Sequence, residues 1–305
     1  MKKILTTALA LILSILTLGF VACTPAETPD PTYNGNYTEV TAQELYAASK
    51  NTDAKWGLPA PSETLKTQTY GSYSYTSEGA DYLIHDEYYF SEISSIYNDN
   101  GTYKQNAIVT LVESTYSESA DYKGGYTTTR VVYIKDSKYY INVKSSFDIA
   151  GEKSEYEYRY QTDYTEYNNA YQQVVQHVKP QNKSVPKNEA DFADFVASIN
   201  ASGIKLLADL SNGELKVKVD IENKELSEDF FREKYDLEGF TVNPAKLSAC
   251  YVFDTNKLLK AYKFETKVRF TSPYGILAYE NNFETKGYDG EIVFPNDLDS
   301  YISLV

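Results

Sequence analysis

The sequence predicts an α+β fold in which one large curved antiparallel sheet, half-open and barrel-like, is covered by a few helices. Three observations support this prediction. Apolar and polar residues alternate with a period of two over about residues 65–161, and again after residue 215. Between these regions the apolar spacing changes to three or four, which is typical of a helix. Such alternation gives a sheet one wet and one dry face, and the dry face needs a covering layer.

The folded body is expected to begin near Thr41. Thr41 and Glu44 have the spacing of a capping box ahead of an apolar pair, which predicts a short helix over about residues 42–50. Trp56 follows in a loop before the first long strand. There it would either close the end of the sheet or offer a platform for stacking on a sugar ring.

The first strand region contains one strand in which two kinds of side chain alternate clearly. Tyr156, Tyr158 and Tyr160 alternate with charged residues, so this strand is expected to carry tyrosines on one face and charges on the other. Residues 127–134 and 139–143 repeat the period and are predicted to form a hairpin.

Turn residues separate these strands. Asp136 and Ser137 are predicted to turn the hairpin, while residues 98–101 (Asn-Asp-Asn-Gly) and residues 123–125 (Lys-Gly-Gly) are expected to supply positions with positive φ.

The middle of the chain predicts a helix pair. Apolar and tyrosine side chains over residues 164–178 fall three or four apart, and Pro180 ends the pattern. A second helix is predicted to start at Asn188, a good cap, and to stop before Gly203.

Strands then return. Residues 215–221 and 258–270 alternate apolar with charged side chains, and a brief helix to about residue 235 is predicted between them. The partner of the second strand is expected at residues 276–283, across a turn at residues 272–275.

Charge and cysteine content exclude several classes of protein. The formal net charge is -14, and no basic patch interrupts the acidic sequence, so we expect no nucleic-acid binding. Only two cysteines occur, Cys23 and Cys250. If Cys23 is acylated, Cys250 has no partner for a disulfide; its apolar neighbours indicate a small buried side chain.

The sequence offers little for catalysis, and we expect no enzyme, no cofactor and no metal site. His85 and His177 are far apart, and His177 is expected to interact with the end of the predicted helix 164–178. No nucleophile elbow, phosphate loop or zinc motif is present. Residues 98–101 lack the ligand spacing of a calcium loop.

Tyrosine is the unusual component of this chain, with 30 residues against a single tryptophan. Tyrosine stacks on sugar rings and lines apolar cavities, so the abundance is compatible with a ligand surface. Tyrosine is also a strong strand former that a large sheet uses repeatedly, and this is the interpretation that the composition favours.

The chain opens with a pattern typical of an export signal. Two lysines precede an apolar run over residues 4–22, and residues 18–22 read Leu-Gly-Phe-Val-Ala directly before Cys23. This string resembles the lipobox of bacterial lipoproteins, with Phe where that motif usually has Leu. The resemblance implies that residues 1–22 are removed and that Cys23 is diacylated and becomes the N-terminus. An ordinary cleaved signal and an uncleaved membrane helix are the alternatives.

This interpretation divides the chain into a signal peptide (residues 1–22), a lipid anchor and disordered tether (residues 23–38) and a β-rich body (residues 39–305). Three prolines and few apolar residues follow Cys23, which is typical of an extended spacer. The protein is therefore expected outside the cytoplasm, anchored to the cell membrane, or to the outer membrane of a two-membrane cell.

The order of elements is similar to that of the LolA/LppX group of lipoproteins and lipoprotein carriers. Residues 250–254 with residues 258–263, and the closing Ile-Val-Phe-Pro at residues 292–295, are the most similar stretches. The resemblance implies a half-open antiparallel barrel lidded by helices, with an apolar cavity for acyl chains.

We therefore expect a non-enzymatic lipoprotein that binds a hydrophobic or amphiphilic ligand. A carbohydrate-binding module that uses exposed tyrosines, and an adhesion or scaffold protein, are the alternatives.

Overall fold

The chain folds around one large sheet. The computed structural model describes residues 31–41, 44, 64–178, 205–211, 214–221, 241–243, 246–253 and 259–303. Two units separate in the chain, Met1–Asn34 and Gly35–Val305. The first contributes a short 3-10 helix, Pro31–Tyr33, and everything below concerns the second.

Fourteen strands and one α-helix, α1 (Tyr164–Val178), are formed by the described residues. The strands are β1 (Thr38–Glu39), β2 (Thr64–Gly79), β3 (Tyr82–Asp99), β4 (Thr102–Ser119), β5 (Lys123–Lys135), β6 (Lys138–Ile149), β7 (Glu152–Thr162), β8 (Lys205–Asp209), β9 (Leu215–Ile221), β10 (Thr241–Val242), β11 (Lys246–Phe253), β12 (Leu259–Ser272), β13 (Gly275–Gly287) and β14 (Ile302–Ser303).

The strands form a single open sheet in the order β1-β8-β9-β11-β12-β13-β2-β3-β4-β5-β6-β7-β14, with β10 beside β12. Neighbours are antiparallel except β14, which runs parallel to β7, so the sheet is mixed. Because strands make up most of the described residues and these residues form a single α-helix, the predicted α+β class with a few covering helices is wrong, and the fold is β-rich. Pairing of β13 with β2 joins the two predicted strand regions into one sheet. The helices predicted at residues 42–50, 188–202 and near residue 235 lie outside the described residues, apart from Glu44.

Hydroxyl side chains explain why the strands are longer than the apolar pattern predicted. Thr67 pairs with Ser94 at 2.9 Å, and Ser114 pairs with Thr127 at 2.9 Å, each across neighbouring strands. Such hydroxyl pairs stabilise a sheet without apolar side chains. Polar stretches that interrupt the apolar alternation in the sequence therefore still form strand.

Tight turns join β3 to β4 and β5 to β6. Asn100 and Gly101 have φ of 53° and 89°, and Asp136 and Ser137 have φ of 51° and 64°, as two-residue hairpin turns require. Both predicted turns are confirmed. The turn predicted at residues 123–125 is wrong, because these residues begin β5.

The two glycines at the start of β5 serve close packing of strands. A Cβ on Gly125 would lie 2.5 Å from the carbonyl oxygen of Thr115, and one on Gly124 would lie 2.8 Å from that of Asp148. Glycine pairs in a sequence are therefore ambiguous between a turn and a close backbone approach.

Helix α1 begins and ends as its spacing predicts and packs mainly against β2, β3, β4 and β13. The face of the sheet that it covers is called the helix face here. Gly71 makes this close approach possible, since a Cβ there would lie 2.1 Å from Val178 Cγ1. The core between helix and sheet consists of fully buried side chains, among them Phe90, Val109, Leu111, Val174 and Val178.

The opposite face of the sheet is partly covered by chain segments. After β13 the chain crosses this face, where Tyr301 contacts the Tyr140 ring edge-on and Arg159 pairs with Asp297 at 3.0 Å. Near the start of the body, Tyr37 lies against Cys250, with its hydroxyl 3.2 Å from the sulfur. The predicted capping box is present, since the backbone N–H of Thr41 donates to the Glu44 carboxylate at 2.8 Å.

Candidate functional site

A cleft of about 440 Å³ lies on the helix face, beside the C-terminal half of α1. Strands β3 to β6 form its floor and wall, and α1 forms its other side. The residues that line it are Tyr88, Glu113, Tyr126, Thr128, Arg130, Phe147, Gln173, Gln176 and His177. Four of these nine side chains are aromatic and the other five are polar or charged, so the cleft differs from the apolar cavity that an acyl chain would require.

The helix closes one end of the cleft through an aromatic stack. The His177 ring lies parallel to the Tyr88 ring, with centroids 4.0 Å apart and planes at 11°. Tyr73 flanks both rings at 6.1 Å. Stacked and edge-on rings add about 0.5–1.5 kcal/mol beyond their buried area, so this cluster fixes the end of α1 over β2 and β3.

A carboxylate and a guanidinium lie side by side on the floor. The Tyr126 hydroxyl donates to Glu113 Oε1 at 2.7 Å, and Arg130 Nη1 lies 3.8 Å from Glu113 Oε2. Both charged side chains are about one-fifth exposed. Within the described part of the chain, Arg130 Nη1 is buried and makes no hydrogen bond. The pair neutralises its charge locally but leaves hydrogen-bonding capacity unused.

Register explains how these residues meet. Tyr88 is paired with Glu113 across β3 and β4, and Glu113 is paired with Thr128 across β4 and β5. Cross-strand partners share a face of the sheet, so all three point to the helix side. Sequence separation conceals this row, because its members lie in different strands.

Burial raises the pKa of Tyr88 and Tyr126, and the negative charge of Glu113 adds to both effects. For Tyr126, the hydrogen bond to Glu113 also favours the protonated phenol. Both phenols therefore stay neutral over the physiological pH range and act as hydrogen-bond donors in the cleft.

Aromatic rings continue from the cleft toward the edge of the sheet. Phe147 stacks beside Tyr126 with centroids 6.2 Å apart, and Tyr156 contacts Phe147 edge-on at 6.0 Å. We call Tyr126, Phe147 and Tyr156 the aromatic strip. Tyr156 is 60% exposed and the neighbouring Tyr158 is 52% exposed. The expected dry face is therefore wet over residues 152–159 of β7. At the other end of this strand, the Tyr160 hydroxyl donates to Glu166 of α1 at 2.7 Å and Thr162 is buried.

The predicted candidate residues lie in different places. His177 belongs to the last turn of α1, as expected, but its ring contacts aromatic side chains of the sheet. His85 lies on the opposite face, bonded to Thr76 at 2.8 Å and to Glu87 at 3.0 Å, outside the cleft. Cys250 is a buried free thiol, as predicted, and burial raises its pKa.

Two predicted features fall outside the described residues. Cys23, the predicted lipidation site, and Trp56, the predicted platform or plug, are both among them. In the described ranges, no group of His, Cys, Asp or Glu side chains has the arrangement of a metal site. None of the helices described is long and apolar enough to cross a membrane.

The sequence analysis missed Glu113, Arg130 and the two glutamines of α1. Arg130 follows three threonines and directly precedes the apolar end of β5, where a charge on a buried face is unusual. This is the one signal that the sequence carries. Gln173 and Gln176 look like ordinary solvent-facing helix residues.

Comparison with known proteins gives little. No family model matches the chain, and no curated protein matches it. Among solved structures, a beta-barrel-like protein of domain of unknown function DUF1849 from Brucella abortus is 10% identical, with a TM-score of 0.13, and the match covers 74% of this chain and 98% of that one. The translocator domain of the autotransporter NalP from Neisseria meningitidis is 6% identical, with a TM-score of 0.18, over 81% and 94% of the two chains. Similarity this low carries no argument about function.

Proposed function

We propose that the protein is a non-enzymatic carbohydrate-binding protein and that the cleft beside α1 is its binding site. The observation that carries the proposal is the combination of aromatic rings with a paired carboxylate and guanidinium in one cleft. Aromatic rings stack on the apolar faces of sugars, and the polar groups bond to sugar hydroxyls.

The polar groups match the chemistry of a hydroxyl. A sugar hydroxyl both donates and accepts a hydrogen bond, while Glu113 can only accept and Arg130 can only donate. The amides of Gln173 and Gln176 can do both, and both side chains are exposed at the rim. A hydroxyl-rich ligand therefore finds partners of each kind within the cleft.

A fully hydrophobic ligand, the first expectation from the sequence, is less compatible with this cleft. Burying an acyl chain against Glu113 and Arg130 would remove a charged pair from water without compensating hydrogen bonds, which is costly. The helix face under α1 is filled by the core rather than hollow. An amphiphilic glycolipid, whose sugar portion enters the cleft, remains compatible with the proposal.

A glycan array probed with the purified protein tests this function. Gln176→Ala and Gln172→Ala form a matched pair, since both glutamines are exposed on α1 but only Gln176 lines the cleft. We expect wild type and Gln172→Ala to bind the same glycans and Gln176→Ala to bind them about 2- to 10-fold more weakly, as for one lost hydrogen bond. If the purified protein cleaved a glycan during incubation and released products, the non-enzymatic part of the proposal would be contradicted.

Absence of binding to every arrayed glycan, together with lipid recovered by extraction of the purified protein, would instead favour the hydrophobic-ligand function.

We also propose that Cys23 anchors this binding body to a membrane through acyl chains, outside the cytoplasm. The support is the leader pattern of the sequence. Metabolic labelling with palmitate should mark wild type and leave Cys23→Ser unlabelled. A Cys23→Ser protein that takes up as much palmitate label as wild type would contradict the proposal.

A further inference from the structure

We infer that the ligand is an extended neutral glycan that runs across the strands, from the cleft along the aromatic strip to β7. This inference rests on the proposed function and specifies its ligand. It is carried by the geometry of Tyr126, Phe147 and Tyr156, which lie on three consecutive strands of the helix face.

The spacing of the rings suits a chain of sugars. Neighbouring strands lie about 4.8 Å apart, which is close to the length of one sugar unit in an extended glycan. From Tyr88 on β3 to Tyr156 on β7 there are four strand steps, or about 19 Å. A glycan of about four units laid across the strands would therefore place one unit near each step.

The strip is accessible at its far end. Tyr156 is 60% exposed although it is large and aromatic, and it has Phe147 as a ring neighbour. Singly scattered exposed rings are ordinary on a protein surface, whereas a contiguous row of exposed rings is typical of an interaction surface. The cleft at the other end has a volume of about 440 Å³ and offers the polar groups that would fix the orientation of one sugar unit.

Charge favours a neutral ligand. Glu113 is compensated by Arg130, so the cleft has no surplus cation to attract an acidic sugar. Asp86 adds negative charge near Tyr88, and the whole chain carries a net charge of -14. A polyanionic glycan would approach against this field.

The test measures affinity as a function of chain length. Chito-, cello- and malto-oligosaccharides of two to six units are titrated calorimetrically into the purified full chain. For a series that binds, we expect the affinity to rise about 3- to 10-fold for each added ring contact and to level off near four units. Oligogalacturonides of the same lengths should bind more weakly.

Tyr156→Ala and Tyr274→Ala form the matched variants, since both tyrosines are exposed but Tyr274 lies at the tip of the β12–β13 hairpin, at 88% exposure. The Tyr156→Ala protein should bind a tetrasaccharide about 3- to 10-fold more weakly than wild type, and it should bind a disaccharide as tightly as wild type. Tyr156→Phe should restore the tetrasaccharide affinity, and Tyr274→Ala should behave as wild type.

Equal affinity for disaccharide and hexasaccharide, tighter binding of the galacturonides, or binding of none of the three neutral series would overturn the inference. Only a failure of the protein to bind any glycan on the array would overturn the proposed function together with this inference.

Discussion

Replacing Gly71 with alanine tests how closely α1 lies on the sheet, and therefore how the cleft is built. A Cβ at Gly71 would lie 2.1 Å from Val178 Cγ1 and 3.2 Å from Phe283 Cδ2. Val178 is fully buried, so its side chain has no solvent into which to rotate. Overpacking of a core costs about 1–3 kcal/mol, and we expect Gly71→Ala to lower the free energy of unfolding by about 2 kcal/mol.

Equilibrium unfolding in urea, followed by far-UV circular dichroism, measures this change as a shift of the midpoint at constant slope. Gly287→Ala is the control, because Gly287 ends β13 with no heavy atom within 4 Å of the new Cβ. It should change the stability by less than about 0.5 kcal/mol.

A double-mutant cycle with Val178→Ala locates the clash. Val178→Ala alone leaves a cavity and should cost about 2 kcal/mol. The methyl group of Gly71→Ala then occupies part of that cavity, so the double variant should be at least about 1 kcal/mol more stable than the sum of the single changes predicts. Additive effects, or a Gly71→Ala protein as stable as Gly287→Ala, would refute the close contact between α1 and β2.

Three further predictions concern other parts of the molecule. Gly101→Ala should destabilise the protein by about 1 kcal/mol in urea unfolding, because φ at Gly101 is 89°; no change would show that the turn does not have this geometry. Glu87→Gln should remove a pH-dependent stabilisation of about 0.2–1 kcal/mol, measured by urea unfolding at several pH values. The hydrogen bond to Glu87 raises the pKa of His85 above its ordinary 6.5, and that to His85 lowers the pKa of Glu87 below its ordinary 4.5. The His85 contribution is complete below pH 6.5 and lost as pH rises through the raised pKa, and the Glu87 contribution is complete above pH 4.5 and lost as pH falls. The difference in the free energy of unfolding between wild type and Glu87→Gln should therefore be largest between pH 4.5 and 6.5. A difference independent of pH would contradict an ion pair between His85 and Glu87. Cys250 should react with a thiol reagent at least about tenfold more slowly in the native protein than in urea, since it is buried with a raised pKa; equal rates would contradict its burial.

The sequence indicated the local structure of the body better than its class. Alternation identified β5, β6, β7, β9 and β12 one by one, and it marked residues 65–161 as a strand region without dividing its first half into β2, β3 and β4. Three- and four-residue spacing identified α1 with its end at Val178. What alternation cannot show is which strands become neighbours. The pairing of β13 with β2, distant in the chain, makes one sheet of two regions, and the parallel strand β14 has only two residues.

The site depended almost wholly on tertiary structure. The abundance of tyrosine indicated a ligand surface. It did not indicate which rings stay exposed, because this depends on which strands α1 packs against. Glu113, Arg130 and Phe147 come together through strand register, and His177 reaches Tyr88 only because the helix folds back over β3. None of these contacts has a signature in a single sequence.

A crystal structure of the protein with a bound neutral tetrasaccharide would show directly whether the cleft and the aromatic strip form one glycan-binding site. We predict sugar rings against Tyr126, Phe147 and Tyr156, with sugar hydroxyl groups bonded to Glu113 and Arg130 in the cleft. A tetrasaccharide bound on the opposite face of the sheet, with the cleft and the aromatic strip unoccupied, would contradict it.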